Sequence, residues 1–555
     1  MTADAAPVEM PTESHSETAA GVARATGVLA LGNIASRILG LAREIVLTNL
    51  FGASGASDAF RVAVIVPKAL YDLLIGGHVN SAIIPVLSEV VTVKGRVELW
   101  RLVSVLLNLV SLLLAALVLL LEIFAPQIVQ FVGGGYDSST LDLAAHLLRL
   151  TAPALIFLTL FAILSGTLYA LRTFTWPAFA GVVFNGSIVL ISLLFAPAPQ
   201  IQPVLGHAGV IWRAARPAEG VVVVALGWLV GALAQLVLQL PGLRGTQFQL
   251  SLNLRHPALR RIAVLYTPVM FSLILDTLVI RTFSYNLASQ TGEGSISHMD
   301  LATTLIQFPQ GLIATAISIA ILPTLSRQAV ITTADGRAAF RDTLGLGLRL
   351  AITMILPATV GLFILATPIV GLLFQHGAFV AADTAITTLA LRLYLIGLPF
   401  AALDLLLVYA FYARQDSLTP ALIGLLSLTV YMIAAVVLFP RYGLFSLMIA
   451  DSLKHMVHAL VSAYLLSRRM NGLGKQRLLL TTGKAALAAL AMGVVAALTT
   501  AQLLIWIGTG SLVREVIVVG VSGGSGILIY LLFATILRIE ELRWLSAMIL
   551  RRLGR

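Results

Sequence analysis

The chain has 555 residues, of which 59% are hydrophobic and only 11% charged, with a mean hydropathy of +0.97. Soluble domains carry about a quarter charged residues, so these proportions exclude an ordinary globular protein and put the chain in a lipid bilayer. The formal charge of +11, from 36 Lys and Arg against 25 Asp and Glu, has no soluble basic face to carry it and points to membrane topology rather than nucleic acid. With no cysteine, disulfides, thiolate catalysis and thiolate metal sites are excluded.

In chain order, residues 1–20 hold Asp4, Glu9, Glu13 and Glu17 without Lys, Arg or an apolar centre. They read as a disordered cytoplasmic tail and not as a signal peptide. A membrane span needs about 20 apolar residues. Apolar segments follow at 22–50, 59–88, 99–125, 141–171, 177–196, 220–240, 258–289, 296–326, 343–373, 383–412, 418–438, 443–467, 481–507 and 512–537. The expected fold is therefore an all-α polytopic membrane protein with 14 transmembrane helices. Lys and Arg concentrate in the loops after even-numbered segments, whereas the opposite loops hold only Arg213, Arg216, Arg441 and Arg514. Basic residues stay on the cytoplasmic side of short loops, so both termini are expected there. The basic tail 538–555 reads either as an amphipathic helix on the inner leaflet or as a solvated end.

Shifting the sequence by 243 residues aligns Phe131 with Phe374, Leu148-Arg149-Leu150 with Leu391-Arg392-Leu393, Tyr169-Ala170 with Tyr412-Ala413 and Gly181 with Gly424. Six spans per unit preserve orientation, so the expectation is two parallel six-helix repeats, 21–240 and 241–480, around a central cavity. The last two segments, 481–537, form an appendage.

A charge at the centre of a span costs about 2.5–3.5 kcal/mol on insertion scales and needs a cavity or a partner. The first segment carries Arg37, Arg43 and Glu44, the second Arg61, Lys68 and Asp72, the seventh Asp276 and Arg281. Arg61, Lys68 and Asp72 fall within about 40° of one another on a helix, a stripe that must point inward; Lys68 and Asp72 are spaced to pair. Arg37 and Arg43, about 120° apart, suit a bulky ligand gripped from two sides. Each set also reads as structural or snorkelling: Arg43 with Glu44, Lys68 with Asp72, Asp276 with Arg281. Arg149 and Arg392, at equivalent repeat positions, suggest packing, and His78 and His376, near segment ends, satisfied polar residues.

An excess of Arg in an apolar cavity selects an anion, and Arg grips phosphate oxygens bidentately. Arg37, Arg43, Arg61, Lys68 and Arg281 are thus the candidate diphosphate-binding set, with Asp72 and Asp276 as a coupling or ion pair. Apolar walls favour an amphiphilic lipid diphosphate. No GxxxxGK[ST] loop occurs and no loop can fold an ATPase domain, so the membrane potential or an ion gradient is the expected energy source. No cofactor or metal is expected, and no enzymatic activity: the longest outer loop, 197–219, holds His207, Arg213, Arg216 and one acid, Glu219.

At these residues the sequence resembles the MurJ-type lipid II flippases of the multidrug/oligosaccharidyl-lipid/polysaccharide exporter superfamily. The motifs are SRILGLARE (36–44), FGASGASDAF (51–60), QFPQGLIATAISIAILPTLS (307–326), LFQHGAF (373–379) and YARQDSLTP (412–420). The resemblance implies outward flipping of the undecaprenyl-diphosphate-linked peptidoglycan precursor by alternating access, with Arg37 and Arg43 as cavity arginines and 481–537 as a groove for the lipid tail. It implies a monomer among membrane lipids, in contact with cell-wall synthesis proteins. Tyr71 and Thr304 stand where the family usually has further arginines, and Thr303 where an acid is usual; Arg61, Lys68 and Arg281 are the expected substitutes. Sodium-binding acids in the seventh and eleventh segments are matched at most by Asp276, so no sodium site is expected. The alternative function is a flippase for another lipid-linked oligosaccharide, such as a teichoic, capsular or O-antigen precursor.

Overall fold

The computed structural model describes residues 15–74, 79–196, 220–244, 246, 279–331, 333–470, 472, 476–509 and 511–542. Asp276, His78, the loop 197–219 and the tail beyond 542 lie outside them. The described residues are helical, without strands. Nine stretches among them are long and apolar enough to cross a membrane.

The first half comprises α1 (His15–Phe51), α2 (Gly55–Leu74), α3 (Val79–Ile123), α4 (Ala125–Gly133), α5 (Ser138–Thr151), α6 (Ala154–Ala170), the single turn α7 (Thr175–Ala178), α8 (Ala180–Phe195) and α9 (Gly220–Val237). The second comprises α10 (Arg281–Ser289), α11 (Ser295–Pro309), α12 (Ala316–Ala329), α13 (Ala334–Ile364), α14 (Ala366–Phe374), α15 (Ala381–Ala413), α16 (Leu418–Tyr442) and α17 (Phe445–Arg469). The appendage is α18 (Leu478–Trp506) and α19 (Leu512–Ile536). α1 takes in the end of the segment read as a tail. The second and third expected spans are divided differently: α2 is described to Leu74, and α3 takes in the second from Val79 and the third as far as Ile123, interrupted at Gly95. There φ is 84°, a left-handed value that glycine adopts without a Cβ clash.

The repeat is visible in detail. Each half has a nine-residue helix, α4 and α14, followed by a loop and a longer helix, α5 or α15. Arg149 Nε donates to the Glu122 carbonyl (3.1 Å), and Arg392 Nε to the Phe363 carbonyl (3.2 Å). Both guanidiniums thus bind a carbonyl near the end of the preceding long helix, where peptide dipoles leave negative charge. Arg172 and Gln415, again 243 apart, both take left-handed φ of 59° past a helix end.

One continuous core runs through both halves, from Leu47, Phe60 and Trp228 to Phe374, Phe379 and Tyr394. α18 and α19 pack on each other and on α13 and α14 through small residues. A Cβ on Gly493 would lie 2.7 Å from Val360, the close helix approach that substitutes for a hydrophobic drive in lipid. Their outer faces, with Leu490, Val494, Leu498, Ile527 and Leu528, are exposed, as expected of surfaces that meet acyl chains.

Candidate functional site

Three helices each turn one face toward a common cavity. α1 gives Arg37, Gly40, Leu41 and Glu44, α2 gives Arg61, Val64, Ile65 and Lys68, and α11 gives Asp300, Thr303, Thr304 and Gln307. In each case the spacing is i, i+3, i+4, i+7, which lines residues up on one side of a helix. Arg43, Leu47, Phe60, Trp228, Arg281, Tyr285 and Phe308 complete the wall of a cavity with about 240 Å³ open to water. All five sequence-predicted cations therefore meet at one cavity, although they come from α1, α2 and α10. Against them stand two carboxylates, Glu44 and Asp300.

The five cations are not equivalent. Arg61 is 6% exposed, and all three of its nitrogens are engaged: Nε with Ser297 Oγ (3.1 Å), Nη1 with Asp300 Oδ2 (3.2 Å) and Nη2 with Glu44 Oε2 (2.8 Å). Tyr285 donates to the same Asp300 oxygen at 2.6 Å. Arg43 gives Nη1 to Asn185 Oδ1 (3.0 Å) and Nη2 to Glu44 Oε1 (2.8 Å), and its guanidinium lies 5.8 Å over the Trp228 ring. Glu44 thus bridges Arg43 and Arg61, so one carboxylate is shared by two guanidiniums and a net positive charge remains. Arg37, Lys68 and Arg281 line the cavity with no carboxylate within ion-pair reach among the described residues. Arg37 Nε lies 3.4 Å from Asn33 Oδ1, and its guanidinium rests on Gly311, where a Cβ would stand 2.3 Å from Nη1. Gly311 belongs to a π turn, Gln310–Thr315, directly after Pro309. Proline has no N–H for the helical ladder, and the widened turn that follows opens a place for the guanidinium.

One end of the cavity is sealed by bonds between the halves. Asp58 of α2, fully buried, accepts from Gly294 N–H (2.7 Å), Ser297 N–H (2.8 Å), Ser297 Oγ (2.6 Å) and Tyr136 Oη (2.5 Å). It therefore caps α11, whose first N–H groups have no partner in their own helix. The reverse cap also exists: Glu293, before α11, accepts from Gly55 N–H at the start of α2 (3.1 Å). Gly294 permits the approach, with φ of 84° and no room for a Cβ, which would sit 2.6 Å from the Ala53 carbonyl. Ala378 N–H to the Asn49 carbonyl (2.9 Å), Gly135 N–H to Ser289 Oγ (3.0 Å) and Asn286 Nδ2 to the Phe131 carbonyl (2.9 Å) complete the seam.

Several expectations are revised. Lys68 and Asp72 do not pair: Lys68 extends into the cavity, while Asp72, one turn further on, lies beyond its wall. Arg61 lies on the cavity as expected but is consumed by the bonds between halves. Tyr71 is half-buried among apolar residues of the first half. Thr303 and Thr304 do line the cavity, each hydroxyl bonded back to its own helix at Met299 and Asp300. His376 Nε2 is satisfied by the Leu372 carbonyl at 3.0 Å. Sequence reasoning missed Asp300, Asn185, Trp228 and Tyr285. Asp300 alone had a signal, as an acid in an apolar segment; Asp58 stood in a motif without a role.

An all-helical, two-half membrane fold around a cationic cavity sealed at one end defines a polytopic transporter. The family described as Lipid II flippase MurJ matches residues 47–517. The lipid II flippase MurJ of Burkholderia cenocepacia is 31% identical over 420 residues, covering 74% of this chain and 76% of its own. The probable lipid II flippase MurJ of Thermotoga maritima is 28% identical over 528 residues, covering 93% of this chain and 97% of its own. The chain belongs to the MurJ lipid II flippase family, and is a multi-pass bacterial membrane protein. In fold it is similar to a MurJ lipid II flippase in an inward closed conformation (TM-score 0.73, 24% identity, 95% of this chain and 99% of that one). It is also similar to an inward-facing multidrug resistance MATE transporter of the MOP superfamily (TM-score 0.62, 18% identity, 79% and 96%).

Proposed function

We propose that this protein flips lipid II from the inner to the outer leaflet of the bacterial cell membrane by alternating access. The observation that carries the reading is the excess of cations over carboxylates in a cavity whose remaining lining mixes aliphatic and aromatic side chains with Thr303, Thr304 and Gln307. Arg37, Arg43, Lys68 and Arg281 hold the diphosphate, since among the described residues they keep N–H groups free for phosphate oxygens. Arg61, saturated by Glu44, Asp300 and Ser297, holds the two halves together and sets the position of Glu44 beside Arg43. The substrate is carried unchanged, so the role is transport and not catalysis. Both termini lie in the cytoplasm, which places the sealed end, with Asp58 and Glu293, on the outer side, and α18–α19 offer the apolar groove for the lipid tail. A potential of about 100 mV, negative inside, favours outward movement of a dianionic headgroup by roughly 4–5 kcal/mol.

The test is reconstitution in proteoliposomes containing lipid II and, in parallel, a lipid-linked teichoic or capsular precursor. Leaflet transfer of lipid II is the expected result. Transfer of the other precursor in preference overturns the assignment. The native chain lacks cysteine, so single cysteines at the two ends can be labelled from either side; labelling of residue 293 from the cytoplasm would reverse the topology.

A further inference from the structure

Where α18 begins and α19 ends, a second pocket, with about 400 Å³ open to water, lies between these helices and α13 and shares no residue with the central cavity. On the topology proposed above, this face is cytoplasmic. The floor of the pocket is a network drawn from three segments of the chain. Arg349 of α13 gives Nε to Glu541 Oε1 (2.6 Å) and Nη1 to the carbonyl (2.9 Å) and Oε1 (3.3 Å) of Gln476. Gln476 Nε2 in turn donates to Asp342 Oδ1 (2.7 Å). Gln476 and Glu541 are buried, and Gly345 lets Gln476 lie against α13, since a Cβ there would stand 2.2 Å from Gln476 Oε1. The fold itself therefore shapes this floor.

Within the floor, Arg349 and Glu541 cancel each other. Around it stand Arg477, Lys484 and Arg538, with no carboxylate in ion-pair reach among the described residues. Against these three cations are two acids, Asp342 and Glu540, and the start of α18 adds the positive end of its dipole. The balance is positive. Arg477 and Arg538 both have φ of 51°, in the left-handed region. Glycine takes that conformation without strain, yet an arginine stands at each position, and both line the same pocket. The neighbouring surface is apolar: Leu480, Leu487 and Val494 are exposed along α18. Arg477 and Lys484 fall within about 100° of that row on the helix, so the cations stand at one end of a stripe that faces acyl chains.

We propose that this pocket binds the phosphate of an anionic phospholipid of the inner leaflet, held by Arg477, Lys484 and Arg538, with an acyl chain along Leu480, Leu487 and Val494. Guanidinium groups pair with phosphate oxygens through charge-assisted hydrogen bonds, and basic pockets between helices on the cytoplasmic side suit lipid head groups. A soluble phosphate compound offers the same oxygens but nothing to cover the leucines. The site takes only its topology from the flippase reading and does not depend on what the central cavity carries.

The test uses the full chain, delipidated in detergent and titrated with phosphatidylglycerol or phosphatidylcholine, with bound lipid counted by native mass spectrometry. The wild type should retain phosphatidylglycerol in preference. Combining Arg477→Gly with Arg538→Gly removes both guanidiniums together with the left-handed strain, so the melting temperature should stay level or rise. Phosphatidylglycerol binding should nevertheless weaken by about 25-fold, at about fivefold for each arginine near the membrane surface. Arg477→Lys with Arg538→Lys, which keeps the charge, should retain most of the binding. Equal binding of the two lipids by the wild type, or equal phosphatidylglycerol binding by the wild type and the glycine variant, overturns the proposal. Inorganic phosphate at the same concentration should leave the bound phosphatidylglycerol in place; displacement would overturn the lipid assignment in favour of a soluble phosphate.

Discussion

The two halves share a scaffold but differ in the polarity of their interiors. Arg149 and Arg392 bind equivalent carbonyls, and Arg172 and Gln415 turn the chain at equivalent helix ends. Yet α1 and α2 of the first half carry Arg37, Arg43, Arg61 and Lys68 into the cavity, whereas α15 and α17 of the second half hold Asp404, Asp451, His455 and His458 away from it. Duplication preserved what backbone geometry requires, the caps, the close approaches and the short helices. Groups that act on ligands were free to diverge, because a repeat position fixes where a side chain starts but not what it meets. On this comparison most of the cavity's cations come from the first half, while Arg281 and the α11 face are what the second half brings to it among the described residues.

The sharpest test of that division is Arg43→Ala. A lost charge-assisted hydrogen bond costs about 1.5–3 kcal/mol, so lipid II flipping should fall roughly 10- to 150-fold with the protein still present in the membrane. Normal flipping would break the comparison at its centre. Arg61→Ala should act on stability: it leaves Asp300 without its cation and Glu44 with Arg43 alone, a loss of about 3–5 kcal/mol for a buried network, seen as a much lower melting temperature in detergent. An unchanged melting temperature with lost lipid II binding would instead return Arg61 to the substrate. Arg149→Ala and Arg392→Ala should each destabilise by about 1 kcal/mol, and to similar extents if the halves share a scaffold.

The smallest effect is expected at the loop after α15. There burial opposes the charge of Asp416, but hydrogen bonds from Thr419 N–H (3.0 Å) and Oγ1 (2.7 Å) and the Arg469 guanidinium outweigh it and hold the carboxyl at about 2. A depressed folded-state value contributes stability above the unfolded carboxylate range. That contribution fades as pH falls from about 4 toward 2. Asp416→Asn should therefore cost at most about 1 kcal/mol at neutral pH, since exposed pairs contribute little, and nothing below about pH 2. Equal melting shifts at both pH values would show that the carboxylate charge is irrelevant.

Much of the site was legible because charge in an apolar segment has so few explanations. Arg37, Arg43, Arg61, Lys68 and Arg281 were singled out on that ground, and all five line the cavity. The errors came from treating each helix alone. The i, i+4 spacing of Lys68 and Asp72 permits a pair, but the fold sets Lys68 on the cavity wall and leaves Asp72 off it. Arg61 had the same signature as Arg43, yet Asp300 and Ser297, more than two hundred residues away, take its donors. Neither spacing nor composition tells that two helices bring Asp404 and His458 into contact.

The sequence by itself determined the bilayer, the helical class, the duplication and the sign of the cavity's charge, because these follow from transfer energies and local periodicity. The tertiary structure alone decided which cations are free and which are spent, that Asp58 and Glu293 cap each other's helices, and that Asp404 faces a histidine instead of an arginine. Those facts depend on packing between helices distant in the chain, where a shift of a few ångströms separates a hydrogen bond from an unpaired charge.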